Sequence, residues 1–262
     1  MRPIWTGAVS FGLIFFPVRL YKASERQELP FKLLRNGDLC PIRHKRVCAE
    51  TGEEVPYENI VRGYEYEQGK YVVVEDEDFL RANVHKTQVI EIVNFVELSE
   101  IEPKFLERPY YLEPAPEGKR VYALLREALK QSRKAGLARF VLRTREHLAI
   151  LTAEDDLILL NLLRFTSELR SPDDLELPEE EDLTVRELNL AVRLIEQLSE
   201  PWQPERFTDT YTQDLKRLIQ KKIGGEEVEP TEEAAIPLEV PDLYVMLNES
   251  LQEAKKRPDG GG

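Results

Sequence analysis

Nine lysines and arginines crowd residues 119–145: Lys119, Arg120, Arg126, Lys130, Arg133, Lys134, Arg139, Arg143 and Arg145, against the single carboxylate of Glu127. Ammonium and guanidinium groups at this density do one kind of chemistry well, which is to hold an anion. A nucleic-acid backbone is the anion that suits so long a run. The stretch is +8 inside a chain whose formal charge is -13. The alternative is a solvated helix face followed by a salt-bridged strand. A second basic patch, Arg35, Arg43, Lys45 and Arg46 with Lys32, has only Asp38 against it. It is a second candidate nucleic-acid surface, and Arg19 and Lys22 are subsidiary candidates.

Catalytic chemistry has no comparable signature. The chain holds no GxxxxGK[ST] phosphate loop, no GxGxxG after a strand and no GxSxG elbow. The acidic run Glu75-Asp76-Glu77-Asp78 lacks the alternating ligand spacing of a calcium loop and reads as a helix start. A metal-dependent nuclease would have to use it. His44, His85 and His147 are scattered and read as structural or surface groups. Cys40 and Cys48, with His44 between them, fall short of the four ligands that structural zinc takes, so neither a metal nor another cofactor is expected.

The cations must be carried by particular elements. Val121, Leu124, Leu125 and Ala128 make one apolar helical face, and Arg126, Lys130, Arg133 and Lys134 recur at i, i+4, i+7 and i+8 on another. Gly136 is expected to end that helix, since glycine accepts a left-handed backbone without steric cost. Residues 139–148 then read as one strand, with Phe140, Leu142 and Thr144 on one side and Arg139, Val141, Arg143 and Arg145 on the other. Three arginines on one face belong in a cleft, a cavity or an open surface, because unpaired buried charge is costly.

The first half of the chain reads mainly as strands. Residues 8–21 are rich in aromatic and β-branched side chains, with Gly12 and Pro17 indicating a bulge or bend. Residues 64–74 predict a hairpin turning at Gln68-Gly69, and 89–98, 108–112 and 156–165 predict further strands. This is a mainly β fold with α elements, an antiparallel barrel or sandwich. After Ser171 the composition changes to an acidic, proline-containing connection. Thr184-Val-Arg-Glu187 is a capping box for a helix to about Leu198, and a second helix spans 210–223 before Gly224-Gly225. A Glu/Pro-rich stretch then precedes a short amphipathic helix over 242–257 with Leu243, Met246, Leu247 and Leu251 in register. That helix is too short to stand alone in water, so its apolar face must dock on a partner or back on its own chain.

At 262 residues the chain can bury a real core, and no apolar run is long enough to span a bilayer. The start of the sequence shows no signal-peptide pattern, so a cytoplasmic location, with no membrane partner, is expected. A pI near 5.0 excludes a protein that coats nucleic acid freely. Any such binding must use a confined basic surface with acidic outer walls.

Several motifs carry a resemblance. Arg2-Pro-Ile-Trp-Thr-Gly-Ala-Val-Ser-Phe-Gly-Leu13 with Pro17-Val-Arg-Leu-Tyr21 resembles the opening of bacterial Ku proteins. So do Arg46-Val-Cys48, Ile60-Val-Arg-Gly-Tyr-Glu-Tyr66, Gly69-Lys-Tyr-Val-Val73 and Glu91-Ile-Val-Asn-Phe-Val96. Arg108-Pro-Tyr-Tyr-Leu-Glu-Pro114, Tyr122-Ala-Leu-Leu-Arg-Glu-Ala-Leu129 and Phe140-Val-Leu-Arg-Thr-Arg-Glu-His-Leu148 continue the match in order along nearly the whole chain. The resemblance implies a homodimer with a β-barrel core whose arms close a ring around the end of double-stranded DNA. It implies binding without sequence preference, no catalytic centre, and recruitment and stimulation of the ATP-dependent DNA ligase D in non-homologous end joining. In those terms residues 1–182 are the barrel core with arm segments and 183–225 a helical arm. Residues 226–241 are an acidic linker and 242–262 the ligase-interacting segment. The best candidates for arms are residues 30–59 and 109–138. Two departures are visible. Cys48-Ala-Glu-Thr-Gly52 stands where many relatives carry Cys-x-x-Cys-Gly, and the Lys-rich tail of some relatives is missing, so tail-dependent DNA binding is expected to be weak or absent. A second reading makes the protein chiefly a scaffold for ligase and other repair proteins.

Overall fold

The computed structural model describes residues 1–25, 27–82, 88–178, 183–226 and 243–256. The apolar segment read as one bent strand is a hairpin. Gly12 takes φ 58° at the first position of a two-residue turn, and β1 (Trp5–Phe11) pairs antiparallel with β2 (Ile14–Lys22). An L side chain would be strained at that φ. Gly7 in β1 is required for a different reason: a Cβ there would lie 2.3 Å from the Gln88 carbonyl and 2.4 Å from the Trp5 ring.

The hairpin over 64–74 forms as its sequence indicates, from β3 (Arg62–Glu67) and β4 (Lys70–Val74), and α1 (Asp76–Ala82) starts on the acidic run. There Asp78 accepts a hydrogen bond from the Glu75 N–H at 3.0 Å, so that run caps a helix. Next come β5 (Val89–Glu97), β6 (Leu106–Pro114), α2 (Lys119–Ser132), β7 (Lys134–Leu142), β8 (Arg145–Glu154) and β9 (Leu157–Leu163). Seven strands close a barrel in the order β1-β2-β6-β9-β8-β7-β5. All neighbours are antiparallel except β5, which seals the barrel by running parallel to β1.

The register fixes two ends. At one lie the β1–β2 turn, the end of β6, the β8–β9 turn, the start of β7 and the end of β5. The helix α2, which joins β6 to β7, caps this end. At the other lie the start of β1, the end of β2, the start of β5 and the β7–β8 turn. Residues 109–138, expected as a possible arm, therefore form barrel wall and cap. Their Tyr110, Leu112, Tyr122, Leu125, Leu129 and Ala138 are core residues.

The lumen is solid. Val9, Phe16, Leu20, Ile90, Phe140 and Leu160 are buried inside it, together with Tyr122, Leu125 and Leu129 from α2. The Tyr122 hydroxyl donates to the Leu112 carbonyl at 2.9 Å and accepts from the Ile158 N–H at 2.6 Å, tying the cap to β6 and β9. At the opposite end Trp5 packs edge-on against Phe140 at 5.8 Å, and its indole N–H donates to the Val141 carbonyl at 3.1 Å. Nothing can thread this barrel, so any nucleic acid must lie outside it.

The chain divides into two compact units, Met1–Ser171 and Pro172–Gly262. The second contains α3 (Val185–Leu198), α4 (Thr210–Ile223) and α5 (Leu243–Lys256). The expected capping box is present: Thr184 accepts from the Glu187 N–H, and Glu187 accepts from the Thr184 N–H at 2.9 Å. Asp209 caps α4, which stops at Gly224 as its sequence indicates. The acidic linker, except residue 226, lies outside the described residues. Residue 242 and residues 257–262 of the final segment do so too.

Replacing Tyr122 by Phe removes both hydrogen bonds of its hydroxyl while keeping the shape of the cap. The loss should be about 1–3 kcal/mol, the cost of leaving buried polar groups unpaired, measured by urea unfolding of the purified protein.

Candidate nucleic-acid interface

The nine cations of residues 119–145 do not share a surface. Lys119, Arg120, Arg126, Lys130, Arg133 and Lys134 lie on α2 or beside its end, at the capped end of the barrel. Arg139 is six residues along β7, and Arg143 and Arg145 are at the opposite rim. A strand rises roughly 3.3 Å per residue, so the two groups stand about 25 Å apart along β7.

The single strand expected over 139–148 is two. Residues Arg143 and Thr144 form the β7–β8 turn, with Arg143 at φ 62°. The register then pairs Arg139 with Leu148 and Arg145 with Leu142. By alternation Arg139 faces outward beside Leu137, while Arg145 falls on the face of Phe140 and His147 at the rim. The common arginine face is therefore replaced by two faces and a turn. The helix also ends earlier than expected, at Arg133, whose φ is 55° and whose N–H donates to the Lys130 carbonyl. Gly136 instead sits inside β7, where a Cβ would press within 3.3 Å of Ile92.

Local pairing divides these cations further. Arg126, only 21% exposed, donates to the Asp156 carbonyl at 2.7 Å and pairs with Glu127 at 2.9 Å. It anchors α2 to the β8–β9 turn and is spent on the fold. Lys134 lies 3.2 Å from Glu97, Lys130 lies 3.9 Å from Glu127, and Arg145 is bound to Glu168. The Glu168 carboxyl is held below its usual range by the Phe165 N–H and by Arg145. Lys119, Arg120, Arg133, Arg139 and Arg143 are exposed and have no carboxylate partner among the described residues.

The second patch is distributed in the same way. Residues 27–61 form a largely exposed excursion held by short bridges, Leu34 to Pro41 and Val47 to Glu54. Arg35 is bonded to Asp38 at 3.0 Å through Nε, and Lys45 to Glu54 at 2.5 Å. Arg46 stacks over Tyr57 at 5.1 Å, which leaves Arg43 and Lys32 without an ion-pair partner among the described residues. Cys40 and Cys48 are free thiols. The Cys48 thiol is drawn down by the Thr51 N–H and hydroxyl and the Glu50 N–H. Among the described residues no group of three or more His, Cys, Asp or Glu is placed to hold a metal ion, and no helix is long and apolar enough to cross a membrane.

Of the expected partner-binding residues, Leu247 and Leu251 are half-buried, Met246 is exposed, and the side chain of Leu243 lies outside the described residues. The α5 helix that carries them packs on α3. There the Arg186 guanidinium stacks 4.3 Å over the Tyr244 ring and donates to its hydroxyl.

Sequence reasoning offered Lys22 as a subsidiary candidate and missed the two cations that stand with it, Arg2 and Arg108. Arg2, Lys22 and Arg108 line one concavity of about 700 Å³ at the rim opposite α2. No sequence signal joins positions so far apart; only the pairing of β2 with β6 does.

A family model described as the Ku70/Ku80 beta-barrel domain matches residues 10–190. The non-homologous end joining protein Ku of Opitutus terrae is 43% identical over 98% of this chain and 95% of its own length. The protein of that name from Pseudomonas aeruginosa is 40% identical over 99% of this chain and 90% of its own. That from Bacillus subtilis is 35% identical over 98% and 83%.

Because Arg126 serves the fold, Arg126→Ala should lower stability by about 1–3 kcal/mol, whereas Arg120→Ala should stay within about 0.5 kcal/mol; chemical denaturation of both variants decides this. Burial, then Arg145, holds His147 below its ordinary value of 6.5, against the opposing pull of Glu107 and Glu168. A histidine depressed in the folded state gives stability that is complete above 6.5 and is lost as pH falls through that range. Thermal melts from pH 8 to 5 should show that decline, and His147→Gln should flatten it.

Proposed function

This chain belongs to the Ku family of non-homologous end joining proteins, and from that membership we propose that it binds double-stranded DNA ends, without sequence preference, as a homodimeric ring in double-strand break repair. The family is not enzymatic, so the activity is one of binding and recruitment, and the nuclease reading of residues 75–78 is dropped. The setting of that work is the bacterial cytoplasm.

One observation carries the ring. The strands β2 and β5 both flank β1 in the barrel, and the end of one lies near the start of the other. Two strand spacings, about 10 Å, separate them, a gap a few residues would bridge. Residues 23–88 are inserted there instead. Every residue of β3 is exposed, and Tyr64, Tyr66, Tyr71, Val72 and Val73 all present large apolar area to solvent. A two-stranded hairpin of this kind is at best marginally stable alone. A second copy of the same insertion is the partner that would cover it and close a ring.

The exposed cations without ion-pair partners, Arg43, Lys119, Arg120, Arg133, Arg139 and Arg143, are proposed to bind phosphates, as is Arg46 beside Tyr57, with Arg35, Lys45, Lys130, Lys134 and Arg145 able to exchange a carboxylate for a phosphate. Recruitment of DNA ligase D is assigned to residues 242–262. In support, Val245 and Met246 of α5 remain exposed although the helix lies on α3.

In a mobility-shift comparison at moderate salt, a linear duplex should bind and the same sequence closed into a circle should not. Equal binding to both would replace the ring by an open basic surface. If about six phosphates are neutralised, log K should fall against log salt with a slope near -5. Deleting residues 242–262 should leave that binding intact and abolish stimulation of ligase in a nick- and end-joining assay. Loss of DNA binding in that deletion would favour the scaffold reading.

A further inference from the structure

The two ends of the barrel differ in chemistry as well as in topology. The capped end presents an apolar groove between Phe11, Phe95, Leu124 and Ala128, and Leu13 in its turn is fully exposed. A phosphate backbone gains nothing from that groove itself, so at that end only the cations of α2 and Lys134 beside it can hold one. The opposite rim is where residues 23–88 leave and return, and it holds the concavity of about 700 Å³ lined by Arg2, Lys22 and Arg108.

Three features make this concavity a constructed site. Its cations come from three separate parts of the chain: the segment before β1, the end of β2, and β6. Backbone hydrogen bonds hold its walls, from the Ile4 N–H to the Leu20 carbonyl at 2.8 Å and from the Ala23 N–H to the Pro109 carbonyl at 3.3 Å. Its one carboxylate is Glu25, and none of the three cations has an ion-pair partner among the described residues. Three unpaired cations facing one cavity repel each other, and an anion removes that repulsion. Two arginine forks and an ammonium group match the tetrahedral oxygens of a phosphate.

We infer that Arg2, Lys22 and Arg108 form a phosphate-binding pocket that grips the DNA backbone at the foot of the inserted segment. The inference rests on the proposed function and deepens it. It adds to the proposed contacts a grip at the end of the barrel that bears the insertion, on the side of Arg143.

The test uses the full-length protein, a short 5′-labelled linear duplex and fluorescence anisotropy across a sodium chloride titration. In Arg2→Gln/Lys22→Gln/Arg108→Gln the affinity should fall at least tenfold. The salt slope should become shallower by about 0.9 for each phosphate that is no longer neutralised. The charge-retaining Arg2→Lys/Arg108→Lys should keep the slope. All of these residues are exposed, so melting temperatures should be unchanged. Lys22→Glu alone, with a loss of affinity in the same direction, serves if the triple variant does not fold. An unchanged affinity and slope in the pocket variants, while the wild type binds ends, would overturn the pocket alone. Inorganic phosphate that raises the wild-type melting temperature at matched ionic strength, without any pocket effect on DNA affinity, would make the ligand free phosphate and also overturn it. A wild type that binds no linear duplex would overturn the proposed function, and the DNA assignment of the pocket with it.

Discussion

The parallel pairing of β1 with β5 is the constraint on which the remainder of the molecule depends. A parallel pair cannot be joined by a tight hairpin and needs a crossover. Since β2 runs back antiparallel from β1, it ends at the rim where β5 must begin. The chain inserted between them, residues 23–88, therefore leaves and re-enters the barrel at one end. The other end is left to β6, α2 and β7, and α2 seals it with Tyr122, Leu125 and Leu129. The polarity of the molecule follows from this closure. One end is a packed cap, and the other is a platform from which the chain extends.

Packing and electrostatics then divide the work. The lumen holds aliphatic and aromatic side chains, with the polar groups of Tyr122 and Trp5 satisfied by backbone partners. Among the described residues no buried side-chain nitrogen or oxygen lacks a partner. Such a core is rigid and carries no ligand. Binding is left to the outer surface, where several cations are already neutralised by nearby carboxylates, as Arg126, Lys134 and Arg145 show. Exposed pairs of this kind contribute little stability and exchange partners readily. They can turn to a phosphate at small cost, whereas Arg126, held also by a backbone carbonyl, cannot.

Regular elements were legible in the sequence because periodicity and end signals agreed. Thr184 with Glu187 opened α3, Gly224 closed α4, and Gln68-Gly69 turned the β3–β4 hairpin. Reading failed where a residue without a turn signature takes a left-handed backbone. Arg133 ends α2 at φ 55°, and Arg143 turns β7 into β8 at φ 62°. Glycine would be cheaper at either place by about 1 kcal/mol, so nothing in the sequence announced a break there. Without the turn at Arg143 the facing of everything after it shifts by one face, and simple alternation then puts Arg139 and Arg145 on one side. The rim pocket was illegible for a different reason. Its residues are neighbours only through strand register, which no local pattern encodes.

An acidic protein that binds a polyanion has to separate attraction from repulsion in space. With a net charge of -13, this chain repels a duplex that approaches as a whole. Within about 8 Å, the screening length at physiological salt, only local charge counts. The pocket of Arg2, Lys22 and Arg108, with Glu25 its one carboxylate, is positive on that scale, although the molecule is not. A basic surface on an open face would still collide with DNA along its length and bind side-on. A basic surface enclosed by inserted segments would meet DNA only where a duplex ends, because an end alone can enter. On the proposed function, the acidic exterior therefore contributes directly to specificity. It removes the nonspecific binding that would otherwise compete with ends, and the inserted segments supply the geometry that charge alone cannot.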